Sequence, residues 1–197
     1  MSQLIPCYPS HYSLTKPSGV GPWARRGGGA AGSPGRIVGL GEMFLSTFEK
    51  QLDAKRRIVV PQEFRAALSG PFDGVFCFPS IEADCLEGGG KTLFDRYNSV
   101  IEELDFGDPL RTALETSILG GMAKLSFDTA GRITLPETLC DMFGLADWVT
   151  VVGLGDRFQI WDRGAFNAYR AAQRDAARQG LAQLRAQQRA QRLGGAA

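Results

Sequence analysis

Two stretches of this chain repeat one another at a constant offset of 75 residues. Setting residues 48–68 against 123–143 aligns Asp53 with Asp128, Arg57 with Arg132, Ile58 with Ile133, Val60 with Leu135 and Pro61 with Pro136. Each copy carries the same local instructions. A short strand ends at Leu52 or Phe127, an Asp opens a tight turn, and Arg-Ile-x-Val/Leu makes a second strand. Pro then stands where a helix can begin without its missing N–H being needed. Helices are expected over residues 62–68 and 137–143, followed by apolar runs at 75–78 and 149–152 and short strands near 85–87 and 158–161. A longer helix closes each copy, 92–103 in the first and from Ala165 onward in the second.

A copy of about 45 residues buries too little surface to be stable alone. The two should therefore pack on each other, most simply about a pseudo-twofold in which the Asp-turn hairpins interleave and each covers the other's open sheet edge. The expected fold class is α+β and β-rich: two tandem repeats packed as an intrachain pseudo-dimer, each followed by a helix.

Outside the repeats the texture changes. Residues 1–42 hold nine glycines, five prolines and five serines, with Glu42 as the sole acid and no helical or strand period. This leader is expected to be disordered and dispensable, and Met43 can itself serve as a start. The expected organisation is thus a leader over 1–42, repeat 1 over 47–95, a connecting helical segment over 96–121, repeat 2 over 122–165, and a C-terminal helix with a flexible tail over 166–197.

The chemistry available is limited. With 22 basic against 21 acidic side chains the net charge is +1, so affinity for a polyanion must come from local clustering of charge. One such cluster exists, because Lys55, Arg56 and Arg57 stand together at the tip of the first turn. A hairpin tip projects side chains outward, which suits phosphate contact. Asp53 and Asp128 suit Asx-type turns, holding the loop by accepting backbone N–H bonds. The competing role for Arg57 is an ion pair with Asp53 that only braces the turn. In the second turn Gly131 is kept, Thr129 and Ala130 bring no lysine, and Arg132 stands beside Asp128. The first turn should therefore contribute more to any anion binding.

Other candidate sites read weakly. Gly88-Gly89-Gly90-Lys91-Thr92 looks like the end of a phosphate-binding loop, but the full pattern needs glycine at 85, where Cys85 stands. A flexible hairpin-to-helix linker is the expected role of that run. Cys7, Cys77, Cys85 and Cys140 have no metal-ligand or disulfide spacing, and a reducing cytoplasm fits them. His11, the only histidine, lies in the leader, so no nucleophile–histidine site is expected in the folded part. Glu102 and Glu103 are adjacent on a helix and face different ways, while Phe76, Phe78, Phe158 and Trp161 are expected in the core. No catalytic residue, metal, nucleotide or other cofactor is expected, nor any membrane span.

The Met43-Phe44 opening, Asp53-x-Lys55-x-Arg57 followed by Ile58-Val59-Val60-Pro61, Asp128 with Gly131-Arg132, and the Phe158-x-Ile160-Trp161-Asp162 ending resemble the MraZ family. That family comprises transcriptional regulators of cell-division and cell-wall gene clusters, and the resemblance covers about 43–170. It implies two SpoVT-AbrB-type swapped-hairpin modules, a homo-oligomeric ring, double-stranded DNA as partner through short direct repeats upstream of the cluster, and a cytoplasmic, nucleoid-associated location. It also implies that Lys55, Arg57 and Arg132 touch DNA, with Arg56 beside them. One departure is Arg56, which stands where the family pattern has glycine and must make the turn with a side chain. A protein-interaction module of the same fold, antitoxin-like, is the alternative reading.

Overall fold

Each element follows from a short local pattern. In the computed structural model, which describes residues 43–68 and 72–194, strand β1 (Thr47–Gln51) alternates exposed and half-buried positions. Phe48 on its inner face meets the Phe64 ring edge-on at 5.5 Å. Strand β2 (Arg57–Val59) turns Ile58 inward, and Pro61 then stops the ladder and starts helix α1 (Gln62–Ala67), which buries Phe64 and Ala67. The same sequence recurs as β5 (Ala123–Ser126), β6 (Arg132–Thr134), Pro136 and helix α4 (Glu137–Met142). Between them lie β3 (Gly74–Pro79), β4 (Leu86–Gly89), helix α2 (Lys91–Glu102), helix α3 (Pro109–Leu114) and a π-helical turn (Glu115–Leu119). Asp108 caps α3 by accepting the Leu110 N–H at 2.7 Å. Strands β7 (Trp148–Gly153) and β8 (Phe158–Asp162) lead into α5, a 32-residue helix over Arg163–Gly194. The leader read as disordered lies outside the described residues.

The fold is mixed α/β around an antiparallel sheet of six strands in the order β1-β7-β8-β4-β3-β5, with a two-stranded ribbon of β2 and β6. The first strand of each repeat pairs with the other repeat: β1 runs against β7, and β5 against β3. In the ribbon, Ile58 faces Ile133, its own counterpart at the 75-residue offset, so a pseudo-twofold axis passes through that pair. The Glu87–Gln159 pair, where β4 meets β8, occupies the same position in the sheet. One apolar cluster fills the interior and draws Ile58, Val60 and Phe64 from one repeat and Ile133, Leu135 and Leu139 from the other. A smaller cluster of Phe78, Leu93 and Ile118 lies within the first repeat and its connecting segment.

Two expectations need correction. The glycine run is not a flexible linker, because Gly88 and Gly89 are buried inside β4. A Cβ on Gly88 would stand 2.5 Å from the Phe158 ring, and one on Gly89 would stand 2.9 Å from Leu93 Cβ. Glycine is required at 88 by close packing across the axis and at 89 by the approach of helix α2. Phe76, expected in the core, is only half-buried and stacks on Phe94 at 5.5 Å, whereas Phe78, Phe158 and Trp161 are buried. Among the described residues no helix is long and apolar enough to cross a membrane.

Candidate nucleic-acid interface

The two Asp turns are built alike, bond for bond. Asp53 Oδ1 accepts the N–H of Lys55 at 2.9 Å and of Arg57 at 3.0 Å, while Oδ2 accepts Arg57 Nε at 2.7 Å. Asp128 Oδ1 accepts the N–H of Ala130 and of Arg132, both at 2.9 Å, and Oδ2 accepts Arg132 Nε at 2.7 Å. Backbone bonds close each loop, from Arg56 N to Asp53 O at 2.8 Å and from Gly131 N to Asp128 O at 2.9 Å. A carboxylate that accepts several N–H bonds resists protonation. The side-chain hydrogen bond from Arg57 holds the Asp53 carboxyl down at about 2, and the backbone bond from Arg132 leads in lowering Asp128. Asp53 in turn raises the pKa of Arg57. Both motif arginines are therefore braced by matching hydrogen bonds. Asp53 thus offsets Arg57 as Asp128 offsets Arg132, and the first turn differs in carrying Lys55 as well.

The turns present the ribbon. Antiparallel pairing sets Arg57 opposite Thr134 and Val59 opposite Arg132. With Ile58 and Ile133 facing the core, the outer face carries Arg57, Val59, Arg132 and Thr134. The two arginines sit diagonally across the pseudo-twofold. An open groove beside them is lined by Lys50, Asp53, Arg57, Arg132 and Asp147. Sequence reasoning missed Lys50, which reaches the groove only because β1 is laid beside the ribbon by its pairing with β7.

The three basic residues of the first turn point to different ends. Lys55 is exposed and makes no ion pair among the described residues. Arg56 adopts the left-handed conformation, with φ of 58°, at the position where Gly131 has φ of 71°. Its guanidinium turns toward α4, with Nη2 at 3.6 Å from a Glu137 carboxylate oxygen. Arg56 thus packs at a turn–helix junction and is not part of the ribbon's outer face.

At that junction the two halves have exchanged roles. The 75-residue offset pairs Arg56 with Gly131 and Arg65 with Cys140. On one side a turn arginine, Arg56, lies near the small helical residue Cys140, whose thiol burial pushes up and the arginine's charge pulls back. On the other, Arg65 from α1 fills the space over Gly131, so that a Cβ on Gly131 would fall 2.5 Å from Arg65 Cζ. Each junction holds one guanidinium, and in both the buried Nε has no hydrogen-bond partner among the described residues. Arg65 was the second residue missed, and the reciprocal exchange in the repeat alignment is the signal that identifies it.

The arrangement can hold anions through fixed cations, but it offers no proton relay. Cys77 and Cys85 are buried, and burial pushes both thiols up to about 12, far from a nucleophilic thiolate. Among the described residues no group of three or more His, Cys, Asp or Glu is placed to hold a metal ion. Lys91, the last basic residue of the would-be phosphate loop, is bound to Asp95 on its own helix at 2.7 Å.

The family model described as "MraZ protein, putative antitoxin-like" matches residues 43–116 and 118–188, one span for each repeat. The transcriptional regulator MraZ of Phenylobacterium zucineum (strain HLK1) is 87% identical over 151 residues, which cover 77% of this chain and 94% of the relative. Its namesake from Caulobacter vibrioides (strain NA1000 / CB15N) is 80% identical over 155 residues, covering 79% and 99%. A more distant one from Hyphomonas neptunium (strain ATCC 15444) is 38% identical over 133 residues, covering 67% and 80%. A match of this extent, falling on both Asp turns and the strands they join, shows that the chain belongs to the MraZ family.

Proposed function

We propose that this chain is a sequence-specific DNA-binding transcriptional regulator, acting on a cell-division and cell-wall gene cluster that includes its own gene. The observation that carries the reading is the ribbon: a two-stranded antiparallel element with Arg57 and Arg132 on its outer face, each fixed by an Asp of its own turn. A ribbon of this width fits the DNA major groove, where arginine can donate two bonds to a guanine edge. Lys55 at the tip and Lys50 in the groove supply phosphate contacts that set register. The crossed pairing of β1 with β7 and of β5 with β3 is, in this reading, that of SpoVT-AbrB-type swapped hairpins. Homo-oligomers, arranged as a ring, would engage short direct repeats multivalently. The protein acts in the cytoplasm at the nucleoid, as a binding protein and not an enzyme, with no cofactor.

The test is a gel shift with the full chain on duplex DNA from upstream of its own gene, set against a scrambled duplex of equal composition. Preferential binding of the upstream duplex, weakening steeply with salt, is the expected result. Equal or absent binding would refute the reading. A second reading, an antitoxin-like module that binds protein, draws on the family's description and on the internal ion pairs that occupy both motif arginines. Salt-insensitive capture of a protein partner with no DNA shift would favour it.

A further inference from the structure

Helix α5 carries a charge pattern that the ribbon does not use. From Arg163 to Gly194 it holds seven arginines against one acid, Asp175, in a chain whose net charge is only +1. The rest of the chain is therefore net acidic, and the positive surplus is concentrated on this helix. Phe166 and Tyr169 anchor its start on Trp161, with ring centroids 6.0 Å and 4.4 Å away. Beyond that anchor the arginines described stand in solvent. Arg170, Arg174, Arg178, Arg185 and Arg189 are all exposed. At 3.6 residues per turn these five fall within an arc of about 100°, along about 29 Å of helix. Among the described residues only Arg178 of the five forms an ion pair, with Asp175 at 3.7 Å.

A solvated helix face usually alternates signs at i, i+4, because like charges at that spacing repel. Here Arg170, Arg174 and Arg178 repeat at that spacing, as do Arg185 and Arg189. The stripe therefore weakens the helix when bare and favours it when a polyanion lies alongside. We propose that this arginine face of α5 is a second DNA-binding surface, one that grips the phosphate backbone without reading sequence. The proposal rests on the DNA-binding reading of the ribbon and assigns the helix a separate share of the affinity. Arginine suits the task because its fork can donate two bonds to one phosphate.

The experiment compares the full-length wild type with an Arg174→Gln, Arg178→Gln, Arg185→Gln triple variant and with Arg57→Ala, on the upstream and scrambled duplexes over a range of salt. Glutamine keeps the helix propensity, and far-ultraviolet circular dichroism verifies the fold. The triple variant should lose affinity for both duplexes by the same factor, with the slope of log K against log salt falling by about 2.7, while the ratio between duplexes is unchanged. The corresponding triple lysine variant should restore the slope. Arg57→Ala should instead lower the ratio. If the wild type binds and the triple glutamine variant binds with an unchanged slope, the helix proposal fails and the ribbon reading stands. If the wild type binds neither duplex, both fail. A triple variant that breaks into smaller oligomers by light scattering assigns the face to a second copy and overturns the proposal. So does one that keeps its DNA slope but no longer sediments with phosphatidylglycerol vesicles.

Discussion

Replacing Gly131 with arginine tests the reciprocal exchange at the two turn–helix junctions. The substitution gives the second turn the residue that the first already has, but on a site where Arg65 occupies the space. Two effects add. A side chain at φ of 71° incurs the left-handed penalty of roughly 1–2 kcal/mol that Arg56 already bears at φ of 58°. Displacing the Arg65 guanidinium beside a second buried guanidinium adds about 1–2 kcal/mol more, as for other overpacked sites. Arg65→Cys reproduces the Arg56–Cys140 arrangement and should remove the second effect alone. The single variant is then expected to lose about 2–4 kcal/mol, and the double about 1–2 kcal/mol. Urea unfolding at fixed protomer concentration, followed by circular dichroism, gives all four corners of the cycle. Arg65→Cys alone should be nearly neutral, since the arginine Nε it removes is buried and unpartnered. If the effects of Gly131→Arg and Arg65→Cys add to within about 0.5 kcal/mol, the two residues do not compete for one space and the exchange has no energetic content.

Three further outcomes are expected. Because Asp53 and Asp128 brace their arginines with matching hydrogen bonds, Arg57→Ala and Arg132→Ala should weaken operator binding by similar factors, roughly 1–3 kcal/mol each; Lys55→Ala should lower the salt slope by about 0.9 on every duplex. Titration of the three variants checks this, and a much larger loss for one arginine would show that the turns are not equivalent in use. Both aspartates have carboxyls held below their ordinary value, so their stabilising bonds are present above pH 3.8 and are lost as the pH falls below it, for Asp53 toward about 2. An acid titration followed by circular dichroism should show this transition reduced in Asp53→Asn, and an unchanged profile would remove the pair from the stability account. Gly88→Ala should destabilise the fold by about 1–3 kcal/mol, because its Cβ meets the Phe158 ring. Lys91→Ala should leave thermal stability nearly unchanged, and a reversal of that order would return the glycine run to a loop role.

The turns and the helices after Pro61 and Pro136 were legible because every determinant lies within a few residues: an Asp, a left-handed position, an Arg, a proline. The pairing of Ile58 with Ile133 was also within reach, as a copy that cannot stand alone must meet its counterpart. What could not be read depended on distance. Gly88 looks flexible until Phe158, from the other repeat, is known to lie against it. Lys50 belongs to the groove only through the β1–β7 ladder. Arg56 looks like one of three equivalent cations, yet its left-handed backbone sends it to Glu137 while Lys55 stays in solvent.

The exchange of first strands between repeats also has a temporal side. Thr47 pairs with Val152, so the N-terminal strand must wait for about 100 further residues before its partner exists. At a synthesis rate of about 5–20 residues per second, that is an interval of roughly 5–20 s during translation in which β1 has no native ladder to join. During it, the β7 strand of a neighbour on the same messenger whose own β1 is not yet seated offers the identical register. Strands traded inside one chain can equally be traded between chains, and the crowding of ribosomes on the transcript sets how often this occurs.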